Sequence, residues 1–139
     1  RLADKIIYAS GTQHSSLYPT YMTKGVSDII INNSKAKKFF ITNIGEDYET
    51  PSYQASDFIF GALKYLNYSS TKEYSFSDFF DYILINQSRN NNKHYIPFDK
   101  DNFKEISLPI LHQSFEDDEN SGKHCGKKVL DIIKEIYYV

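Results

Sequence analysis

A loop near the start of the chain holds the residues best suited to chemistry. Gly11 follows the apolar run Ile6-Ile7-Tyr8-Ala9, and Thr12, Ser15 and Ser16 precede a helical segment. Glycine lets backbone approach a ligand closely, and hydroxyls beside the free N–H groups of a helix start suit phosphate oxygens. The same residues also read as a plain strand-to-helix turn with Ser15 or Ser16 as N-cap. The chain carries neither the Walker A lysine motif nor Gly-x-Gly-x-x-Gly, so neither an NTPase nor a dinucleotide enzyme is supported.

Three acids, Glu46, Asp47 and Glu49, share a second loop. One or two such carboxylates can hold Mg²⁺, although acidic runs of this kind are more often simply solvated. Asp57 stands at the start of a helix, where the dipole favours a carboxylate without any function. None of the four histidines, His14, His94, His112 and His124, is paired at His-x₃-His spacing. Bringing His112, Glu116, His124 and Cys125 together would need the fold, and no metal site is expected there. His124 and Cys125 are adjacent, and adjacent helical positions point to different faces, so they do not read as a nucleophile–base pair. Cys125 reads as an inert packed thiol.

The elements that must position these loops follow from hydrophobic patterning. The runs at 5–9, 38–43 and 82–86 are continuously apolar, which suits strands buried on both faces. A further strand is read at 108–111, and the proline-bearing segment 95–98 reads as an edge piece or an extended connection. Met22, Val26, Ile29 and Ile30 recur at helical spacing, as do Ala55, Ile59, Ala62, Leu63 and Leu66, and finally Val129, Ile132, Ile133 and Ile136. Lys35, Lys37 and Lys38 lie just past the first of these helices, where they complement its C-terminal dipole. The stretch 87–93, with Asn90-Asn91-Asn92, reads as a mobile loop. Strands alternating with helices predict an α/β fold with a parallel sheet. Ligands of such sheets bind at the carboxyl ends of the strands, which places the site among loops 10–16, 43–53, 86–93 and 112–125.

Composition narrows the partners. Sixteen basic against 18 acidic residues leave a net charge of -2 over 139 residues, so bulk attraction to nucleic acid or anionic lipid is absent. No apolar run reaches the length of a membrane span. Cys125, the single cysteine, excludes an internal disulfide and fits a reducing, cytoplasmic location. The chain opens on Arg1 and enters a strand almost at once. Residues 1–139 therefore read as one segment, the C-terminal part of a larger domain. As such a segment it is expected to be catalytically silent and to self-associate as a homo-oligomer.

Several stretches, in order, carry a family resemblance. They are Tyr8-Ala9-Ser10-Gly11-Thr12-Gln13-His14-Ser15-Ser16-Leu17-Tyr18-Pro19, Ile41-Thr42-Asn43, Glu49-Thr50, Ala55-Ser56-Asp57, Asp81-Tyr82-Ile83-Leu84-Ile85-Asn86 and Ser121-Gly122-Lys123-His124-Cys125. Together they resemble the 2-phospho-L-lactate transferase (CofD) and YvcK-like family, and the Thr-Gln-His-Ser-Ser version is similar to a poorly characterised branch of it. The resemblance implies a Rossmann-like three-layer α/β domain larger than this chain, with a further phosphate loop in its N-terminal half. It implies either a phospholactyl-type transferase using a nucleotide-diphosphate-activated donor and Mg²⁺, or a nucleotide-sugar-binding regulator of carbon metabolism. In both cases Gly11, Thr12, Ser15 and Ser16 are expected to hold a phosphate. Asn43, Glu49 and Asp57 would orient an acceptor or a metal, and Lys123 and His124 would supply charge. Three positions depart from the family pattern: Ser10 stands for its usual proline, Lys123 for arginine and Cys125 for aspartate.

Overall fold

The structure, a computed structural model, describes residues 3–89 and 94–137. Most of the loop expected to be mobile, residues 90–93, lies outside them. Four strands, β1 (Lys5–Tyr8), β2 (Lys37–Ile41), β3 (Tyr82–Asn86) and β4 (Ile110–Gln113), form one sheet in the order β1-β2-β3-β4. Every pairing is parallel, with Ile7 opposite Phe39, Phe40 opposite Ile83, and Leu84 opposite Leu111. Helices α1 (Tyr18–Tyr21) and α2 (Val26–Asn32) connect β1 to β2, and α3 (Ala55–Tyr68) and α4 (Phe76–Phe79) connect β2 to β3. A short 3₁₀ turn, Lys100–Phe103, lies between β3 and β4, and α5 (Gly126–Tyr137) closes the chain.

Side chains alternate across a strand, and the two faces here build two cores. Phe40, Ile83 and Ile85 pack with Phe58, Ile59, Leu66, Phe79 and Phe80. Phe39, Ile41 and Leu84 pack instead with Phe115 and with Val129, Ile132 and Ile133 of α5. The result is the expected Rossmann-like α/β architecture, a parallel sheet with helices on both faces.

Three expectations are corrected. The first strand is not central: β1 is an edge of the described sheet, Ile7 is 42% exposed, and of its four residues only Tyr8 is buried. An apolar run looks the same in sequence whether or not its second face is covered. The single helix expected from Met22 onward is broken. Gly25 adopts φ +87°, and α2 starts afresh after it with Ile29 64% exposed and Ser27 buried, its hydroxyl donating to the Leu66 carbonyl. Lys38 is not a solvated lysine at a helix end. It is buried, with Nζ donating to the Asp78 carbonyl at 2.9 Å and its backbone N–H to Asp81 at 2.8 Å.

Boundaries shift more modestly. The fourth strand begins at Ile110, since Pro109 has no N–H to pair, although its carbonyl accepts from Ile83 at 3.0 Å. The proline segment is an extended connection. Ile96 donates to the Ile44 carbonyl at 2.8 Å, and the Pro97 carbonyl accepts from Ala55 at 2.9 Å, which ties the segment to the start of α3.

Helix α3 packs on α1 closely enough to make one glycine a steric requirement. A Cβ at Gly61 would overlap the Tyr18 hydroxyl and lie 2.9 Å from Tyr18 Cζ, and the Tyr18 ring is itself stacked on Tyr65 with centroids 4.1 Å apart. In an open helix Gly→Ala gains about 1 kcal/mol of propensity, whereas overpacking costs about 1–3 kcal/mol. The clash is therefore expected to win. Gly61→Ala should lower stability in urea unfolding, and Tyr18→Phe in the same background should restore part of the loss.

Candidate functional site

Parallel pairing sends the carboxyl ends of all four strands to one rim, and the loops leaving that rim enclose a cleft. Ser10, Gly11 and Thr12 enter it from β1, Asn43 to Asp47 from β2, and Gly122, Lys123 and His124 from the segment before α5. Its volume is about 300 Å³, and a second hollow of about 200 Å³ shares Gly45, Glu46, Gly122 and Lys123 with it.

Two polar pairings set the cleft's shape. Asn43 holds Gly11 by both backbone groups. Its Nδ2 donates to the Gly11 carbonyl at 3.0 Å, and its Oδ1 accepts from the Gly11 N–H at 3.1 Å. The side-chain amide thus continues the β1–β2 ladder beyond the strands' ends. His124 joins three elements. Its Nε2 lies 2.9 Å from the Thr42 carbonyl, and its Nδ1 lies 3.2 Å from Ser10 Oγ. A carbonyl only accepts, so Nε2 carries the proton and Nδ1 receives the Ser10 hydroxyl's. The ring also stacks on Phe115 at 5.6 Å. Burial pushes the His124 pKa below its ordinary value. The Thr42 bond offsets part of this, and the neighbouring Lys123 charge lowers it further. The imidazole is accordingly neutral at pH 7.

Behind the cleft, Glu116 is almost completely buried. Its Oε1 accepts from Gly122 N–H at 2.6 Å, from the Tyr95 hydroxyl at 2.8 Å and from the Ser121 hydroxyl at 3.3 Å. Burial alone would raise its pKa, but these bonds and the Arg89 charge outweigh that and hold it below the usual carboxylate value. Gly122 sits at φ +78° against Gly45, with its backbone positioned by this carboxylate. Glu116 therefore shapes the cleft wall without lining it.

Of the nine residues nominated from sequence, Gly11, Thr12, Asn43, Lys123 and His124 come together as cleft lining. Ser15, Ser16 and Glu49 do not line it. They form a hydrogen-bonded cluster beside Thr12, whose Oγ1 lies 2.8 Å from Ser16 Oγ and accepts from Ser15 Oγ at 3.0 Å. Glu49 Oε2 accepts from the N–H groups of His14 and Ser15 at 3.0 and 3.2 Å. These contacts, led by Ser15, keep the Glu49 pKa low. Neither serine is an N-cap: the turn opens at Gln13 with Thr12 as its cap residue, and Leu17 N–H reaches back to the Thr12 carbonyl at 3.1 Å. Asp57 closes the capping box of α3, accepting from Gln54 N–H at 2.7 Å, and is not part of the lining. Glu46 and Asp47 line the cleft where sequence gave no reason to prefer them over Glu49. Ser10 belongs to loop 10–16, which the sequence places at the site, but it was not among the residues nominated to hold a ligand; the structure puts it in the lining. Among the described residues no three metal-ligating side chains converge, and no helix is long and apolar enough to cross a membrane.

The family model described as "2-phospho-L-lactate transferase CofD" matches residues 1–117. The chain belongs to the CofD family. It is also 26% identical, over 96% of its own length, to a Thermotoga maritima protein described as a "Putative gluconeogenesis factor". It covers 44% of that relative's length. The match to a CofD-family model together with this relative agrees with the resemblance read from the ordered motifs.

The His124 linkage has a definite sign. Its native pKa is below the unfolded value, so the unfolded chain takes up the proton first. The stability carried by the neutral ring is complete above pH ~6.5 and falls as pH drops from there toward the native pKa. His124→Gln is expected to cost about 1–2 kcal/mol at pH 7 through the altered hydrogen bonds, and to remove the loss of stability just below pH ~6.5. Chemical denaturation at a series of pH values checks this. The carboxylates held low, Glu49, Glu116, Asp117 and Asp118, act in a separate window, below pH ~4.5, in both proteins.

Proposed function

We propose that the chain binds the phosphate-bearing part of a nucleotide-diphosphate or phosphoester ligand in this cleft and takes part in transfer of a phosphoester group. The observation that carries the reading is the convergence of Gly11, Thr12, Asn43, Lys123 and His124, from three separate loops, at the carboxyl rim of a parallel sheet. That rim is where open α/β sheets bind ligands. Asn43 fixes the Gly11 backbone at the rim, and Lys123 contributes a positive charge. The family's description as a transferase supports a transfer role.

The cleft's charge also bears on the ligand. Glu46 and Asp47 would repel a bare phosphate, so an anionic ligand there needs a cation to offset them. Their oxygens are hard donors and fit Mg²⁺ held through one or two carboxylates and the ligand's own phosphates, rather than by an all-protein cage. When bound, Mg²⁺ would neutralise phosphate charge between those carboxylates and the ligand. A regulatory reading, ligand binding without turnover, draws its support from the relative described as a gluconeogenesis factor. A cytoplasmic location goes with either reading.

Titration calorimetry of the full-length protein with UDP- and GDP-linked ligands, with and without Mg²⁺, tests the proposal. Binding is expected to require Mg²⁺. Lys123→Glu should weaken it about ten-fold or more, the scale of one charge-assisted contact, with the unfolding midpoint unchanged. Affinity unaltered by Lys123→Glu would move the ligand elsewhere. Product formation separates the transferase from the sensor.

A further inference from the structure

We propose that Ser10 is a nucleophile, with His124 as its general base, and that it accepts the phosphoryl-type group of the ligand as a covalent serine ester. For its substrate the proposal rests on the phosphoester reading above; for its nucleophile it rests on the geometry of this chain alone.

Three groups lie in sequence. Ser10 Oγ is 3.2 Å from His124 Nδ1, and His124 Nε2 is 2.9 Å from the Thr42 carbonyl. A nucleophile on a base that a third group orients is the recurring arrangement of activated serines. The Thr42 carbonyl fixes the tautomer that leaves Nδ1 free to receive the hydroxyl proton. Thr42 itself is buried at the end of β2, and Phe115 stacks against the ring, so the imidazole is held in place. Ser10 and His124 both line the cleft, and Ser10 is partly exposed to it. The hydroxyls of Thr12, Ser15 and Ser16 differ in this respect: they are bonded to one another, not to an imidazole.

The step balances without an oxidant or reductant. Ser10 Oγ attacks phosphorus, and its proton passes to His124 Nδ1. The bond from phosphorus to the leaving oxygen breaks, and that oxygen takes the proton from Nδ1. Water or an acceptor alcohol then attacks the serine ester and gives its proton to Nδ1. The Oγ–phosphorus bond breaks, and Ser10 regains its hydrogen from the ring. Lys123, which also lines the cleft, supplies positive charge against the charge that builds on the phosphoryl oxygens.

A fluorophosphonate probes the nucleophile without knowledge of the ligand. Attack by Ser10 displaces fluoride, and peptide mass spectrometry locates the label. The expected result on the full-length protein is phosphonylation of Ser10, absent in Ser10→Ala and slowed about 100-fold or more in His124→Gln, the scale of general-base assistance. A second measurement needs no variant: prior incubation with Mg²⁺ and a nucleotide-diphosphate ligand should protect Ser10 from the label. Absence of label at Ser10, or labelling as fast in folded His124→Gln as in the wild type, overturns the proposal. The outcomes separate the two readings. Ligand binding without labelling sinks the nucleophile and leaves the binding site. Labelling of Ser10 without nucleotide binding sustains the nucleophile and sinks the nucleotide reading.

Discussion

Phe39 and Phe40 are neighbours in the chain and both buried, and a strand can bury two successive side chains only if both faces of its sheet are covered. That constraint organises the molecule. One face demands the packed helices between the strands, and the other demands α5, which arrives only after the last strand. Parallel pairing on either side of β2 then follows from crossovers through those helices, and it sends every strand's carboxyl end to one rim. The cleft exists because the core forces that arrangement.

At the rim the cost of leaving polar groups unpaired takes over from apolar burial. Strands end there and their backbone groups lose ladder partners. Side chains replace them: Asn43 on both groups of Gly11, and His124 on the Thr42 carbonyl. Glu116 takes donors from Ser121 and Gly122 of its own segment and from Tyr95, which holds the Gly122 backbone against Gly45. Each bond contributes about 1 kcal/mol net, so none holds the fold alone. Their shared consequence is a wall rigid enough to keep Ser10, Gly11 and Lys123 around one space.

Both signs of charge line the cleft. Glu46 and Asp47 lie on the loop after β2, and Lys123 on the segment before α5 beside His124, whose pKa burial lowers. Glu49, the remaining acid of that loop, is turned away onto the His14 and Ser15 N–H groups. Those donors are therefore already engaged by a carboxylate of the chain itself. An anion that comes to this rim meets the Gly11 side of the loop and the lysine, rather than the start of the Gln13–Leu17 turn.

Much of the fold was legible in one dimension. Continuous apolar runs mark β2 and β3, helical spacing marks α3 and α5, and their alternation leads to a parallel α/β sheet with its site at the carboxyl ends. The first loop could be nominated because residue type and its place between a strand and a helix are local properties, whereas Asn43, Lys123 and His124 were nominated through the family resemblance. The exposure of β1 could not, since it depends on which neighbours a strand has. Nor could the contact of Ser10 with His124, which lie 114 positions apart. Their meeting depends on the register of β1 against β2, on the turn that Glu116 sets before α5, and on a histidine tautomer chosen by the Thr42 carbonyl. Each is a property of backbone brought together from distant parts of the chain, and none leaves a spacing or a pattern in sequence. Residue types and local periodicity settled the elements and the rim; side-chain partnership at that rim was decided by tertiary structure, because a hydrogen bond is fixed by distances of a few tenths of an ångström that only the packed sheet defines.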